Sequence, residues 1–520
     1  MRLIVHAALL CLGAAPAAAQ PGQAQTARQL SEFLGTETEV FNGALVAAGP
    51  QQPEIRLARG MADFAAGRPN HPDAVFQLAS AAKPFTAVAV LQLRDKRRLS
   101  LDDPVKRHLP GFPFPDITVR HLLSHTSGLP DLELFEPLVA RSPSHVVTGR
   151  DLIPALQDWK QPLRFAAGEQ FRYSNINYQL LAELVAAVSG RAFGHYLRDA
   201  VFRPAGMRSS YVLGTEALRT PGPPVARQVL AVMFRTTPED IRTLAYADAV
   251  LMRPYRYEGY NLGSTVGDQN LFSTLGDLER FDRALRSGRI LSLRSQQEAY
   301  RPIRLNNGRD HAEEQVYELY DAKCSYGLGW ETCHHPTRGR LVGHAGYVRG
   351  IAVMLYRQVD GGRFAAMFDN GDTGEFPKKF ASVINILDGL PPLAITRTKS
   401  LTRAYGAALV SSGPVPALIR YNQLKANSGE WAGTPAGMNR LGYDLLRNGH
   451  PALALEAFRL NVALNPGAAN LYDSWAEGLA ANGYRQEAIA TYRRSLELDP
   501  ANAAGREALV RLEAEALHQP

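Results

Sequence analysis

A serine and a lysine three residues apart open the stretch where chemistry is easiest to place. Ser80 and Lys83 begin an apolar run that continues to Leu93. On a helix, residues i and i+3 share a face, so the hydroxyl and the amine can touch. A serine hydroxyl needs a nearby base to act as a nucleophile, and desolvation lowers the pKa of a lysine toward that task. Because Pro84 is tolerated only in a first helical turn, we predict that a helix begins near Ser80.

A phenol and an amide two residues apart form a second candidate site. Tyr173 and Asn175 fall on the same side of an extended or turn segment. A phenol can relay protons when a neighbouring ammonium group favours its ionised form, and an amide both donates to and accepts from substrate carbonyl and amide groups. A polar turn before a helix at residues 178–188 explains the same pattern, so the pair leaves both interpretations open.

The third candidate is a histidine among glycines. His344 stands between Gly343 and Gly346 in a run predicted to be a strand, and the glycine-containing run 326–330 before it is also predicted to be a strand. Glycine inside a strand usually marks the close approach of another backbone or a ligand. A satisfied structural histidine is the alternative, but the glycines on both runs favour a strand that lines a cleft.

Two further histidines have the spacing of metal ligands on a helix. His121 and His125 are four residues apart, but the glutamate that a zinc peptidase needs after the first histidine is replaced by Leu122. We therefore interpret this stretch as a structural helix end capped by Gly128.

The three candidate sites, in this order, resemble the serine β-lactamase/penicillin-binding-protein superfamily. The closest branch is the class C-like one, with its esterases, D-aminopeptidases and D-alanyl-D-alanine carboxypeptidases. The resemblance rests on Ser80-x-x-Lys83, Tyr173-x-Asn175 and His344-x-Gly346, supported by the stretches 101–105, 121–128 and 271–274. The rival G-x-S-x-G nucleophile elbow occurs nowhere in the chain. The resemblance covers residues 27–390 and implies an α+β fold, with an antiparallel sheet flanked by helices and a cleft beside a helical lobe.

The resemblance also implies a serine hydrolase mechanism. Ser80 would attack an acyl carbonyl and form an acyl-enzyme that water later releases. Lys83 and Tyr173 would take the serine proton and pass it to the leaving group, and which of them is the general base stays open. Asn175 would hold Lys83 and the acyl side of the substrate. No metal and no organic cofactor is implied.

The third motif would complete the cleft. The backbone N–H groups of Ser80 and Tyr347 would form the oxyanion hole. His344 would line the cleft and help to protonate the leaving group, and Gly346 and Arg349 would join Asn175 in binding substrate.

The histidine of the third motif bears on the substrate. Most β-lactamases have Lys-Thr-Gly there, and a lysine cation helps to bind a substrate carboxylate. A histidine is mostly neutral at pH 7, which favours an ester or a D-amino-acid peptide over a β-lactam, although Arg349 would restore a positive charge nearby. The alternative from another functional class is a catalytically weak penicillin-binding or sensor protein, which uses the cleft for ligand binding and its C-terminal repeats for a protein partner.

The first 19 residues have the pattern of a secretory signal. Arg2 precedes a short apolar run, and Ala17-Ala18-Ala19 offers a cleavage site, so we expect a periplasmic or secreted protein. No later window is long and apolar enough for a membrane span, and the net charge of +7 is scattered, which argues against nucleic acid as a partner.

If residues 325–332 form one strand, Cys324 and Cys333 lie roughly 30 Å apart, so we expect free thiols.

The composition changes after Pro392, where the chain becomes rich in alanine and leucine with helical periodicity. Several residues recur after 34 positions: Leu445, Asn448, Gly449, Ala454, Leu464 and Pro466 return as Leu479, Asn482, Gly483, Ala488, Leu498 and Pro500. This period resembles the tetratricopeptide repeat, a helix–turn–helix unit. Residues 401–424 would add a third, irregular helix pair. We expect an all-α repeat domain at 397–515 that binds a protein partner, mediates self-association or packs on the catalytic domain.

Overall fold

The fold is described from a computed structural model. It covers residues 21–36, 40–49, 54–63, 68–142, 145, 147–212, 231–232, 246–247, 265–311, 323–348, 351–371, 375–395, 397–447 and 449–517. The expected signal at 1–19 and Arg349 lie outside the described residues.

The chain alternates short strands and helices in its first part and is helical at its end. The strands are β1 Gly43–Ala48, β2 Ile55–Arg59, β3 Met61–Asp63, β4 Arg68–Pro69, β5 Phe76–Gln77, β6 Tyr211–Val212, β7 Ala231–Val232, β8 Tyr246–Ala247, β9 Leu271–Ser273, β10 Lys323–Tyr326, β11 Glu331–His335, β12 Gly339–Val348, β13 Ile351–Gln358, β14 Phe364–Asp369, β15 Lys399–Ser400 and β16 Trp431–Ala432. The helices up to the end of the sheet region are α1 Pro21–Leu34, α2 Lys83–Asp95, α3 Val119–Leu123, α4 Glu136–Arg141, α5 Leu152–Asp158, α6 Asn175–Ser189, α7 Phe193–Leu197, α8 Arg203–Ala205, α9 Leu275–Arg286, α10 Leu293–Ala299 and α11 Phe376–Leu387. The C-terminal helices are α12 Leu401–Ser412, α13 Pro414–Lys425, α14 Pro435–Arg447, α15 Pro451–Leu464, α16 Ala469–Ala481, α17 Arg485–Leu498 and α18 Ala503–Leu517.

Seven strands form one antiparallel sheet in the order β10-β11-β12-β13-β14-β1-β2. One face packs on α1 and α11 through apolar residues such as Phe33 and Phe380, and the other packs on the helical lobe that contains α2, α6 and α9. The α+β class with a sheet between helices is therefore confirmed. β1 and β2 pair directly as an antiparallel hairpin.

The hairpin β10–β11 corrects two expectations from the sequence. Residues 326–330 are not a strand: β10 ends at Tyr326, Gly329 adopts a φ of +88° in the turn, and the chain reverses into β11. The reversal places Cys324 opposite Cys333 in the antiparallel register, with Cα atoms 4.0 Å apart, and the two form a disulfide. The prediction of free thiols was wrong because it assumed one extended strand where Gly329 allows a tight reversal.

The histidine-containing helix is shorter than the sequence predicts. α3 ends at Leu123, and His125 already has a left-handed φ of +56°, so Gly128 is not its cap. Gly128 has a φ of +73°, and a side chain there would collide with the carbonyl oxygen of Phe165, 2.2 Å from the Cβ position. The glycine is needed for a close crossing of two loops, and the crossing fixes the segment that follows it.

Successive helices among the seven at the C-terminus contact each other and have their own apolar clusters, which contain only residues from 401 onward. Gly449 and Gly483, which are 34 residues apart, both adopt left-handed φ values at turns between helices. Gly413 separates α12 from α13, so residues 401–424 contain two helices. Within the described part of the chain, no helix has the length and apolarity needed to cross a bilayer.

Candidate active site

The serine lies at a constrained turn between a strand and a helix. β5 leads into a 3-10 turn at Ala79–Ala82, and α2 follows directly at Lys83, close to the predicted start. Ala79 has a φ of +47°, in the left-handed region that a residue with a side chain rarely adopts. Such backbone conformations are concentrated at functional sites, where the surrounding structure maintains them. Here the turn presents Ser80, which is partly accessible while its neighbours are buried.

Lys83 is a fully buried amine surrounded by oxygen atoms. Its Nζ lies 3.1 Å from Ser80 Oγ, 2.9 Å from Asn175 Oδ1 and 3.3 Å from the carbonyl oxygen of Asp268. Burial lowers the pKa of Lys83 from 10.5 to about 8, although the carboxylates of Asp268, Asp131 and Glu331 act in the opposite direction. A substantial fraction of the amine is therefore neutral near pH 8, as a general base requires.

Asn175 is oriented by a carboxylate that sequence reasoning missed. Asn175 is the first residue of α6, so the helix predicted at 178–188 begins three residues earlier. Its backbone N–H donates to Asp131 Oδ1 at 2.7 Å, and its Nδ2 donates to Asp131 Oδ2 at 3.3 Å. These bonds turn Oδ1 of the amide toward Lys83. Burial raises the pKa of Asp131 to about 6.

The Tyr173 ring lies over the amine and against a buried histidine. The Lys83 Nζ is 4.7 Å from the centre of this ring. The His125 ring stacks on it at 4.3 Å with an interplanar angle of 29°. His125 Nδ1 accepts from the backbone N–H of Ser174 at 3.2 Å and from Asn177 Nδ2 at 3.1 Å, which fixes the ring. Burial holds the pKa of His125 well below its usual value, so it is a neutral platform beneath Tyr173.

His344 lies on β12 with protein partners on both ring nitrogens. Nε2 is 3.0 Å from the hydroxyl of Tyr326, and Nδ1 is 2.6 Å from the carbonyl oxygen of Ala345. Its ring centre is 6.3 Å from that of Tyr173. Burial and the nearby Lys83 lower the pKa of His344 to about 3. A proton transfer from His344 to a leaving group would require one of these hydrogen bonds to break.

The glycine of the third motif allows β12 to approach the serine turn. A Cβ atom at Gly346 would lie 2.3 Å from the carbonyl oxygen of Leu78 and 3.1 Å from the backbone nitrogen of Ser80. The expectation of a close backbone approach is met here. Tyr347 follows directly and is 40% exposed. The backbone segments expected to supply the oxyanion hole therefore lie next to each other.

The structure thus gathers most of the candidate residues into one site. Ser80 and Asn175 both contact Lys83, with the Tyr173 ring, His344 and the Gly346–Tyr347 segment around them. Sequence reasoning missed Asp131, Tyr326 and Glu331, which had no distinguishing motif. His121 remains in α3, where Nδ1 accepts the Thr118 N–H. Among the described residues, no group of three or more histidine, cysteine, aspartate or glutamate side chains is arranged to bind a metal ion.

Comparison with known proteins gives consistent matches over this region. The family model described as Beta-lactamase matches residues 23–386. "Penicillin-binding protein 4*" of Bacillus subtilis is 33% identical over 342 residues, which is 64% of this chain and 68% of that protein. "Esterase EstB" of Burkholderia gladioli is 37% identical over 181 residues, covering 32% of this chain and 45% of the esterase.

Solved structures share the fold at lower identity. A penicillin binding protein from Bacillus halodurans superposes with a TM-score of 0.55 at 24% identity, covering 70% of this chain and 98% of that one. The D-amino acid amidase from Ochrobactrum anthropi SV3 superposes with a TM-score of 0.56 at 22% identity, covering 70% and 99%.

Proposed function

The chain belongs to the Beta-lactamase family, and from that premise we propose that it is an exported serine hydrolase that cleaves an ester or amide through an acyl-enzyme on Ser80. The observation that carries the proposal is the set of three contacts around Lys83 Nζ. Two of them, to Asn175 Oδ1 and to the Asp268 carbonyl, need a hydrogen donated by the amine. A neutral amine has two hydrogens and one lone pair, so the lone pair is left to face Ser80 Oγ.

The proposed acylation uses each residue in turn. Lys83 accepts the Ser80 proton as the oxygen attacks the acyl carbonyl, and the Tyr173 hydroxyl relays a proton to the leaving group. The backbone N–H groups of Ser80 and Tyr347 stabilise the oxyanion, where removal of one such donor costs about 3–4 kcal/mol in a comparable hydrolase. Water then attacks the acyl-enzyme, and the serine leaves as the proton returns.

The substrate class follows from charge at the third motif. The ring of His344 is buried and neutral, so this motif supplies no fixed cation for a substrate carboxylate. This supports esters and D-amino-acid peptides over β-lactams, and the relative named as an esterase supports the same choice. The Cys324–Cys333 disulfide supports export, because disulfides persist in oxidising compartments.

A substrate panel tests the proposal. The full chain is assayed with p-nitrophenyl esters, D-amino-acid peptides and nitrocefin, beside a Ser80→Ala variant. We expect turnover of esters or D-amino-acid peptides that is lost in the variant. A stable adduct with fluorescent penicillin and no turnover of any substrate would instead support a sensor.

A further inference from the structure

The histidine of the third motif is held by the β10–β11 hairpin rather than aimed at a reacting atom. A carbonyl oxygen only accepts hydrogen bonds, so Nδ1 of His344 carries the ring proton that faces the Ala345 oxygen, 2.6 Å away. In a neutral ring Nε2 is then an acceptor, and the Tyr326 hydroxyl is placed to donate its proton to it across the 3.0 Å contact. Burial holds the pKa of Tyr326 well above its usual value, so the donor stays protonated.

A carboxylate on the other strand of the same hairpin fixes the strand that carries His344. Glu331 lies opposite Tyr326 in the β10–β11 register. The β11–β12 ladder ends at the pair Glu331–Gly343, and two residues further the Glu331 side chain accepts the N–H of Ala345 at 3.2 Å. Its Oε1 also lies 3.5 Å from His344 Nδ1. Both residues that hold His344 thus come from one hairpin, which the Cys324–Cys333 disulfide closes.

The ring of Tyr326 also contacts Tyr173, the candidate proton relay. Its ring meets the Tyr173 ring edge to face at 6.4 Å and an angle of 89°. It also packs against the His125 ring at 4.9 Å. Tyr173 is therefore held between the stacked His125 on one side and Tyr326 on another, and Tyr326 is itself anchored by His344.

We propose that His344 is a positioning residue that does not protonate the leaving group. Its ring accepts a hydrogen bond from the Tyr326 hydroxyl, and the anchored Tyr326 ring in turn fixes Tyr173 over Lys83. The inference rests on the proposed hydrolase function. Glu331 and Tyr326 are positioning residues in the same chain of contacts. The charged or titratable groups that face His344 are Lys83 of α2, Glu331 and Tyr326 of the hairpin, Tyr173, and neutral His125.

Leaving-group dependence tests this inference with the full chain. His344→Gln, His344→Leu and Tyr326→Phe are compared on a p-nitrophenyl ester, whose leaving group needs no proton, and on the matching ethyl ester, whose leaving group does. We expect His344→Leu and Tyr326→Phe to show the same dependence on the leaving group, with a loss on the order of 10²-fold in kcat on the ethyl ester, because both variants disturb leaving-group protonation only by displacing Tyr173. We also expect His344→Gln to keep more activity than His344→Leu, because its amide oxygen still accepts from Tyr326.

The contradictory result is a much larger loss on the ethyl ester than on the p-nitrophenyl ester in both His344 variants that Tyr326→Phe does not share, with no rescue by glutamine. Tyr196→Phe is the matched control, since it removes a buried hydroxyl that is bonded to Gln92 outside the cleft. Tyr326→Phe keeps the inference testable if the His344 variants fail to fold. Failure of the hydrolase proposal is distinguishable, because the wild-type chain would then turn over neither ester.

The tautomer provides a second readout. In the full chain labelled with ¹⁵N-histidine, the His344 resonances are assigned by their loss in His344→Gln. We expect a neutral ring protonated at Nδ1 from pH 5 to pH 8. A ring protonated at Nε2, or one that titrates within this range, would overturn the inference.

Discussion

A buried amine held by neutral oxygens is the central feature at the scale of single residues. Lys83 Nζ lies within hydrogen-bonding distance of three neutral oxygens, one from a hydroxyl, one from an amide and one from a backbone carbonyl. Burial therefore dominates its protonation, and the pKa falls to about 8. The same surroundings that weaken the charged form aim the neutral form at Ser80.

The pH profile of the hydrolase follows from this pKa. Because the folded-state pKa lies below 10.5, Lys83 is charged at low pH and loses its proton as the pH rises through about 8. We predict that kcat/KM rises with pH up to this value and then levels. We predict that Lys83→Arg, which cannot lose its proton, costs about 10²–10⁴-fold in kcat.

The matched control for this substitution is Lys96→Arg, at the opposite end of the same helix. It is expected to keep the wild-type profile. Full activity of Lys83→Arg with an unchanged pH profile would contradict the role of the amine as base.

At the scale of elements, the site depends on how closely β12 approaches the serine turn. Gly346 faces the backbone of residues 78–81 with no room for a Cβ atom. Residues from β12, the turn before α2 and the N-terminus of α6 then meet, although they are about 90 to 260 positions apart in sequence. This close approach positions the backbone N–H groups that we propose as oxyanion donors.

Gly346→Ala is predicted to separate these elements. The added methyl group would overpack the contact and lower the free energy of unfolding by about 1–3 kcal/mol. Ester hydrolysis should fall more steeply than stability, since the oxyanion donors move apart. Gly467→Ala is the control, because its Cβ would meet nothing within 4 Å. Equal behaviour of the two variants in thermal unfolding and in kcat would contradict the close approach.

The sequence predicts the chemistry of the site better than the turns that shape it. The Ser80–Lys83 contact follows from helical spacing alone, and the glycine beside His344 indicates a close approach. The hairpin at 326–331 was missed because glycines inside an apolar run are compatible with both a strand and a reversal. Asp131, Tyr326 and Glu331 were missed because each acts through a contact between distant segments, which no local pattern encodes.

At the scale of the whole molecule, the sheet region and the C-terminal helices have separate apolar cores. The clusters around Leu409 and Ala476 contain no residue before 401. The segment that leads from the sheet region to the C-terminal helices packs on the sheet region. Ile395 contacts the core of that region, and Arg397 donates to the carbonyl oxygen of Phe33 at 2.5 Å. We therefore propose a domain boundary near residue 398 and retain the tetratricopeptide-like assignment of the helices as a proposal.

A chain that ends at Thr398 is predicted to fold and hydrolyse esters as the full chain does. Its core is complete, and it keeps the Arg397 contact. The measurements are the thermal unfolding midpoint and kcat/KM on one ester, beside the full chain. An insoluble or inactive product would show that the helices are part of the catalytic unit.

The most direct measurement is the site of covalent labelling by a fluorophosphonate in the full chain, located by peptide mass spectrometry. We predict a single adduct on Ser80, formed faster as the pH approaches 8, and no adduct in Ser80→Ala or after preincubation with a slowly hydrolysed ester. Hydrolysis that persists in Ser80→Ala, or an adduct on another residue that tracks the loss of activity, would contradict the account.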